Sequence, residues 1–240
     1  MHTSNPDHLP RLFVSDDLAV GAPISLKPAQ THYLARVMRR GVGDGVRLFN
    51  GRDGEMLARL TEITRNAAIC TPDIQLRAQE QEPDVWLAFA PLKREATELV
   101  VEKATELGAT RLIPVLTARG VSQRINAERW QAIAIEAAEQ SERLSVPEIA
   151  EPQRLAVFLA NWPAERRLIA AIERLAAPAI NPSSGPGGLL IGPEGGFAPD
   201  ELELMRRHPF VMSASLGPRI LRAETAAIVG LALLQARNGG

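Results

Sequence analysis

Short runs of alternating apolar and polar residues, separated by glycines, occupy the first third of the chain. One helix interrupts them, because Pro28 suits a first helical position and the apolar residues Leu34 and Met38 recur at helical spacing. The alternation has the two-residue period of half-buried strands. It predicts a mostly β region with strands over residues 11–15, 23–26, 46–49, 55–63 and 67–71.

Beyond a polar stretch at residues 75–84, apolar strands and amphipathic helices alternate. The polar stretch contains Pro83 and lacks periodicity, so it predicts a boundary between two domains, residues 1–74 and residues 75–240. The alternation after it predicts an α/β fold, a parallel sheet with helices on both faces. Strands are predicted over 85–90, 111–116, 168–172, 188–191 and 211–216, and helices over 94–107, 128–144, 199–206 and 223–236.

Composition narrows the class of protein without identifying it. The 240 residues are 45% apolar, and we expect neither a transmembrane helix nor a secretion signal. Cys70 is the only cysteine and the four histidines are scattered, so we expect no disulfide, no metal site and a cytoplasmic location. Net charge is −1, but residues 36–65 hold seven arginines and four acidic residues. This local excess fits either RNA contact or an ordinary solvated surface.

Two glycine-containing segments are the strongest candidates for a site. The first, GLLIGPEGGF at 188–197, follows an apolar strand, and the second, LGPRILRAET at 216–225, leads into an apolar helix. Loops at the carboxyl ends of neighbouring strands hold small ligands in open α/β sheets. Neither segment has the Gly-Lys-Ser/Thr ending of a phosphate loop. Because Glu194 is negative, a neutral or cationic ligand is favoured, although the first segment also fits a plain strand-to-helix turn.

Charged residues crowd the start of the last predicted helix. Arg219, Arg222 and Glu224 stand together where the chain enters an otherwise apolar stretch. Such a cluster is usual for either a structural ion pair or a reactive site. The residues alone leave both interpretations open, and the neighbouring glycine segment adds weight to the second.

Five segments of the chain together resemble one known family. They are LLIGPEGGF, LGPRILRAETA, EKATELGATRLIP, RWQAIAIEAAEQSER and HYLARVMRRGVGDGVRLFNG. In their residues and in their order along the chain, these segments are similar to the RsmE family, bacterial 16S ribosomal RNA uridine N3-methyltransferases of the SPOUT superfamily. The resemblance covers nearly the whole chain. It implies a PUA-like RNA-binding β-barrel over residues 1–74 and a SPOUT domain with a carboxyl-terminal trefoil knot over residues 75–240. It also implies S-adenosylmethionine as methyl donor, S-adenosylhomocysteine as product, no metal, and a homodimer that acts on 16S ribosomal RNA or the assembled small subunit.

The resemblance leads to a hypothesis for the two glycine segments. With the strand end at 171–173 they would enclose the adenosine of the methyl donor, backbone groups bonding the adenine edge and apolar side chains packing on its faces. Arg222 would stabilise the anion that develops on a uracil carbonyl, and Glu224 would orient Arg222 or accept the N3 proton. The expected cofactor residues are Ala171, Ile172, Glu173, Ile191, Gly192, Glu194, Gly195, Gly196, Leu216, Gly217, Ile220 and Leu221.

RNA contact is expected in the first domain and at the dimer face. The residues expected to meet RNA phosphates lie on the predicted short helix: His32, Arg36, Arg39 and Arg40. An ordinary solvated helix is the alternative.

The chain departs from the family pattern at a few positions. Ala223 stands where threonine is usual, Asn50 stands where aspartate is frequent, and residues 117–120 read TARG instead of a SERS-type run.

The residues alone leave two other functions open. One is a SPOUT methyltransferase with a different RNA target, for example a ribose 2′-hydroxyl of transfer RNA. The other is an RNA-binding or assembly factor without catalytic activity.

Overall fold

The computed structural model describes residues 8–121, 125–172, 178–180 and 187–236. The chain divides into two compact units, Met1–Gln81 with Ala138–Val146, and Glu82–Ala137 with Pro147–Gly240. Among the residues described, no helix combines the length and the apolar character needed to cross a membrane.

The first unit is a five-stranded sheet with one helical segment. The five predicted strands are all present: β1 (Arg11–Phe13), β2 (Ile24–Ser25), β3 (Gly45–Phe49), β4 (Glu55–Ile63) and β5 (Ala68–Arg77), with α1 (Pro28–His32) and a π-helical turn (Tyr33–Val37). Their order in the sheet is β1-β3-β4-β5-β2, with β1 and β3 parallel and the other pairs antiparallel. Apolar side chains that alternate along these strands, such as Val46, Leu48 and Leu60, form its core.

A buried ion pair joins β1 to β4 in this unit. Arg11 Nε donates to Glu55 Oε1, and the two side chains are only 3% and 1% exposed. The Arg11 guanidinium also donates to two backbone carbonyls of the Ala138–Val146 segment, one of them at 2.7 Å. Arg47 lies 3.8 Å from the second Glu55 oxygen and donates to Glu142 at 2.8 Å. Burial lowers the pKa of Arg11 although Glu55 opposes the shift. These bonds fasten the segment to the sheet.

The turn between β3 and β4 is built around a buried asparagine. Asn50 Nδ2 donates to the Asp16 carbonyl at 2.9 Å and to Asp53 Oδ2 at 2.7 Å. Asn50 Oδ1 accepts from the N–H groups of Arg52 and Asp53 at 3.0 and 2.9 Å. The Leu18 N–H also donates to Asp53, and this bond, followed by that from Asn50, lowers the pKa of Asp53. An aspartate at position 50 could not supply the two donated bonds.

β5 runs past the predicted domain boundary. The strand extends to Arg77, which pairs with Glu55 and donates to the Glu142 carbonyl at 2.9 Å, so the boundary between residues 74 and 75 lies within it. Backbone hydrogen bonds between strands require no apolar side chains. Because the stretch at residues 75–84 is mostly polar, hydrophobic alternation did not predict that the strand continues into it. The predicted helix over 128–144 likewise ends at Gln140, because Glu142 has a left-handed φ of 59°.

The second unit is a parallel sheet with helices. Its elements are β6 (Val85–Phe89), α2 (Arg94–Glu106), β7 (Arg111–Leu116), α3 (Ala127–Gln140), β8 (Glu148–Ile149), β9 (Gln153–Arg154), α4 (Leu155–Ala160), β10 (Arg167–Ala171), β11 (Gly187–Ile191), α5 (Pro199–Arg206), β12 (Val211–Ala214) and α6 (Ala223–Gln235). The strand order is β12-β10-β11-β6-β7-β8, with β9 paired to β7. Leu189 of β11 meets Gly230, whereas its neighbour Gly188 meets Trp162. Consecutive strand residues point to opposite faces, so both faces are covered, as predicted.

Candidate functional site

The carboxyl ends of three adjacent strands form one row in the second unit. Ala171 at the end of β10 pairs with Ile191 at the end of β11 and with Ala214 at the end of β12. Neighbouring strands lie about 4.8 Å apart, so the outer two residues are separated by about 10 Å. The expectation that the two glycine segments follow neighbouring strands was wrong, since β10 lies between β11 and β12. All three strand ends are nevertheless close enough for their loops to contact one small molecule.

The first glycine segment forms a tight turn over a buried phenylalanine. Gly192 allows the Phe197 ring to fold beneath it, because a Cβ at this position would lie 2.8 Å from the ring. The Gly196 N–H donates to the Pro193 carbonyl at 2.8 Å, and Gly196 has a φ of 67°, which favours glycine. Phe197 is buried in the core, whereas the tip around Glu194 is exposed. Buried Phe197 therefore anchors the loop, while the backbone at its tip is accessible to a ligand.

The second glycine segment crosses over the end of β10. It leaves β12 at Ser215, which bridges to Ala179 in the connection between β10 and β11, and turns at Gly217 with a φ of 122°. The following helix α6 packs mainly on β11 and β6: a Cβ at Gly230 would lie 2.6 Å from a β11 side chain. Since β10 separates β12 from β11, residues 216–222 have to pass over its carboxyl end.

The described residues of the predicted cofactor set lie at the carboxyl ends of β10 and β11 or in the segments that follow β10, β11 and β12. Ile172 packs partly buried against the core, and Leu216 and Leu221 are half-buried. Ile220 is 64% exposed. An apolar side chain this exposed, three residues after the turn at Gly217, offers a surface for a flat ring. Glu173 lies outside the described residues.

Arg222 and Glu224 flank the amino end of α6 without pairing to each other. Arg222 is the exposed residue that precedes the helix, and Glu224 lies in its first turn. Glu224 Oε2 is buried and has no hydrogen-bond partner. Within the described ranges neither residue forms an ion pair, so the structural pairing that the sequence left open is not present there. The helix dipole favours a carboxylate at this position.

Two residues outside the predicted site, Arg119 and Glu201, bind backbone groups of the first glycine segment or of the residue that follows it. Arg119 Nη1 donates to the Gly195 carbonyl at 3.1 Å. Glu201 accepts from the N–H groups of Ala118 and Ala198, each at 2.8 Å. The available signal was the capping-box spacing of Glu201, three residues after Ala198. Nothing in the sequence connects positions 118 and 201, which are 83 residues apart.

A cavity of about 650 Å³ opens elsewhere in the second unit, between the beginnings of α2 and α3. Leu92, Arg94, Arg129 and Trp130 are among the residues that line it, and the lining includes no predicted cofactor or catalytic residue. Over the part of the chain that is described, no group of three or more His, Cys, Asp and Glu side chains could hold a metal ion. The glycine turns therefore remain the best candidate site.

The predicted RNA-contacting residues do not lie on one regular helix. His32 ends α1, and Arg36 lies in the π-helical turn Tyr33–Val37. Arg39 follows that turn with a φ of 51°, a left-handed value that ends helical geometry. His32, Arg36 and Arg39 are exposed, whereas Arg40 is half-buried and its Nε is buried without a hydrogen-bond partner. The four side chains are thus close in the chain, but the prediction that they share one helix was wrong.

Two family models match the chain in the predicted order. The model described as "RNA methyltransferase PUA domain" matches residues 26–73, and the model described as "RNA methyltransferase domain" matches residues 79–235. The second match alone covers well over half of the chain.

Several relatives match along nearly the whole chain. Ribosomal RNA small subunit methyltransferase E of Rickettsia conorii is 36% identical over 92% of this chain and 93% of its own. The Synechocystis protein of the same name is 35% identical over 94% and 77%. A methyltransferase from Legionella pneumophila in complex with the bound cofactor SAM has a TM-score of 0.86, 30% identity, and coverage of 95% and 98%. A ribosomal RNA small subunit methyltransferase E from Neisseria gonorrhoeae bound to S-adenosyl methionine has a TM-score of 0.84, 28% identity, and coverage of 94% and 96%. These matches confirm what the sequence motifs indicated, and the chain belongs to the ribosomal RNA small subunit methyltransferase E (RsmE) family.

Proposed function

We propose that this protein is an S-adenosylmethionine-dependent methyltransferase that methylates N3 of a uridine in 16S ribosomal RNA of the small subunit. Family membership supports the reaction class, and the names of the relatives support small-subunit ribosomal RNA as the substrate. Two proteins of closely similar fold bind the methyl donor. The observation that carries the proposal is that the second glycine segment joins β12 to a helix packed on β11, with β10 between the two strands.

The residues at this edge fit an adenosine-containing cation better than a phosphate. Ile220, Leu216 and Leu221 offer apolar surface for an adenine ring, and the glycines leave backbone groups accessible. Glu194 at the exposed tip is negative, which suits a sulfonium and opposes a phosphate. Glu173 stays a prediction. The described residues to which we assign cofactor binding are Ala171, Ile172, Ile191, Gly192, Glu194, Gly195, Gly196, Leu216, Gly217, Ile220 and Leu221.

The charged residues at the start of α6 suit the chemistry of uridine N3. This nitrogen carries a proton and becomes a good nucleophile only when the proton leaves. Glu224 Oε2 is buried and has no hydrogen-bond partner, so no existing bond has to break when the side chain turns toward the bound base and accepts the N3 proton as a general base. Arg222 would then stabilise the negative charge on an adjacent uracil carbonyl oxygen. S-adenosylmethionine, when bound, supplies the methyl group, and the protein orients the base for an in-line displacement.

Exchange of Glu224 for glutamine tests this assignment. Glu224→Gln keeps the shape of the side chain and removes its basic oxygen. We expect kcat to fall by about 10²–10⁴-fold, the usual contribution of a general base. We expect the S-adenosylmethionine Kd from calorimetry to stay within about twofold, because the substitution removes no existing hydrogen bond of Oε2. Arg222→Ala should show the same separation of kcat from Kd.

Glu203→Gln is the matched control, since Glu203 is an exposed glutamate of α5. Equal losses of kcat and of cofactor affinity in Glu224→Gln, or no loss of either, would show that Glu224 is not the base. Mass mapping of methylated uridine in small-subunit RNA identifies the product. A methyl group on ribose or in another RNA would overturn the proposed substrate, and no S-adenosylmethionine binding by the parent protein would overturn the enzyme itself.

The proposal extends to RNA contact by the first unit. His32, Arg36 and Arg39 present positive charge to solvent, and Arg40 follows them directly. Half-exposed Tyr33 lies in the same segment. Phosphate neutralisation by such side chains provides affinity without reading sequence, while the α6 site acts on the base. We assign the first unit to a PUA-like β-barrel with this role.

The proposal also includes a trefoil knot, SPOUT classification, a homodimer and a cytoplasmic location. A connection that crosses a neighbouring strand end before entering α6 supports the knot. The apolar side chains of Leu99 on α2 and Leu233 on α6 are each 37% exposed, on helices that pack together, and they support a self-associating face. Light scattering should give a mass about twice the 26.0 kDa of one chain. A mass of one chain would overturn the dimer.

A further inference from the structure

Two loops at the carboxyl edge of the second unit are tied together. One is the cofactor loop, defined here as Gly192–Ala198, and the other is the β7 loop, residues 117–121. Arg119 and Glu201 make the connections. No predicted cofactor or catalytic residue lies in the β7 loop, so its attachment to the cofactor loop requires an explanation of its own.

Glu201 uses both carboxylate oxygens to bind backbone groups of the two loops. Oε1 accepts from the Ala118 N–H at 2.8 Å, and Oε2 accepts from the Ala198 N–H at 2.8 Å. Hydrogen bonds to a charged acceptor are roughly twice as strong as neutral ones. Glu201 also lies in the first turn of α5, where the helix dipole favours a negative charge. The carboxylate is therefore well fixed, and it fixes the distance between the loops.

Arg119 makes a second and weaker connection. Its Nη1 donates to the Gly195 carbonyl at 3.1 Å, and its Cβ would lie 3.6 Å from a Cβ at Gly195. Arg119 is exposed, so water competes for this bond, whereas Glu201 is half-buried. Of the two connections, that of Glu201 dominates.

We propose that Glu201 is a positioning residue that holds the cofactor loop in its binding conformation by bridging it to the β7 loop. This inference rests on the proposed function. A loop that is already ordered loses less conformational freedom when it binds its ligand, so the bridge raises affinity without touching the cofactor. Only a carboxylate serves here, because each oxygen faces an N–H donor. A glutamine would place its NH₂ group against one of them.

Calorimetry with S-adenosylmethionine on the full-length chain tests the inference. In Glu201→Gln we expect the Kd to rise about tenfold, which corresponds to about 1.4 kcal/mol. We expect kcat at saturating S-adenosylmethionine to change less than about threefold, because the residues that handle the proton are intact. Glu203→Gln, an exposed glutamate on the same helix, should leave both constants unchanged.

Glu201 also caps α5 through Ala198, so a general loss of helix stability needs its own control. Arg119→Ala removes the other connection and leaves this cap intact. We expect it to raise the Kd about twofold to threefold without lowering the Tm. Parent protein that binds S-adenosylmethionine, together with a Glu201→Gln Kd within twofold of the parent, would overturn the inference. So would a lower Tm as the sole effect of Glu201→Gln. No binding by the parent would instead overturn the proposed function.

Discussion

Loss of the Glu55 charge should destabilise the first unit more than any surface substitution. Glu55→Gln keeps the side-chain volume but leaves Arg11, whose side chain is 3% exposed, without its carboxylate. Breaking a buried ion pair from one side costs about 3–5 kcal/mol. Two backbone carbonyls still accept from Arg11, so we expect the lower end, about 3 kcal/mol.

Glu142 provides an internal comparison, because it shares a partner with Glu55. Arg47 is closer to Glu142 (2.8 Å) than to Glu55 (3.8 Å), but the Glu142 side chain is 53% exposed against 1% for Glu55. Solvent screening limits such an exposed pair to about 0–1 kcal/mol. We therefore expect the shorter ion pair to contribute less: Glu142→Gln should cost about 0.5 kcal/mol.

The effect of Glu142 should also depend on pH. The hydrogen bond from Arg47, against the opposing effect of burial, lowers the pKa of Glu142. Its contribution is therefore fully present above the unfolded pKa of about 4.3 and is lost as pH falls through the lower folded value. The difference between Glu142→Gln and the parent should vanish in acid.

Hydrogen exchange of backbone amides in β3 and β4 measures these effects. The chain has two compact units, so a single unfolding free energy is not defined, whereas local opening is. Glu62→Gln is the control, an exposed glutamate on the same strand as Glu55. The argument from burial would be refuted if Glu55→Gln lowered the free energy of opening by less than about 1 kcal/mol. It would also be refuted if Glu55→Gln and Glu142→Gln lowered this free energy equally.

Two further predictions concern the first unit. Asn50→Asp should cost about 2–4 kcal/mol at pH 7, because it replaces two donated hydrogen bonds by a buried charge facing Asp53. A free energy of opening equal to that of the parent, from hydrogen exchange of the β3 and β4 amides, would contradict this. Charge reversal at Arg36 and Arg39 should raise the Kd for ribosomal RNA and flatten its dependence on salt, since each lost phosphate contact reduces the logarithmic slope by about 0.7–0.9. Arg65→Glu, an exposed arginine elsewhere in the unit, is the control, and an unchanged slope would exclude the predicted RNA surface.

Hydrophobic periodicity located most elements correctly. The predicted strand over 55–63 is β4, and the predicted helix over 199–206 is α5. In both cases a local signal sufficed: alternation for the strand, and Pro199 at the first helical position for the helix. The π-helical turn at Tyr33–Val37 was not predicted, because its apolar residues also fit the period of an α-helix.

Long-range contacts in the candidate site were not predictable. The neighbours of β10 depend on strand order, which alternation along the chain does not encode. Glu201 accepts a hydrogen bond from the backbone N–H of Ala118. Since every residue except proline has such a group, the residue type at position 118 does not reveal the contact. The role of Asn50 was hidden for the same reason, since three of its four bonds involve main-chain groups.

By itself, the sequence determined the α/β alternation, the β character of the first third, and the glycines and charges of the site, because each depends on neighbours a few residues away. Its motif wording also identified the family. Only the tertiary structure decided that residues 216–222 lie over β10 and that Glu224 has an unpaired oxygen. Those facts depend on which strands pair and which side chains exclude water, and both are settled when distant segments pack.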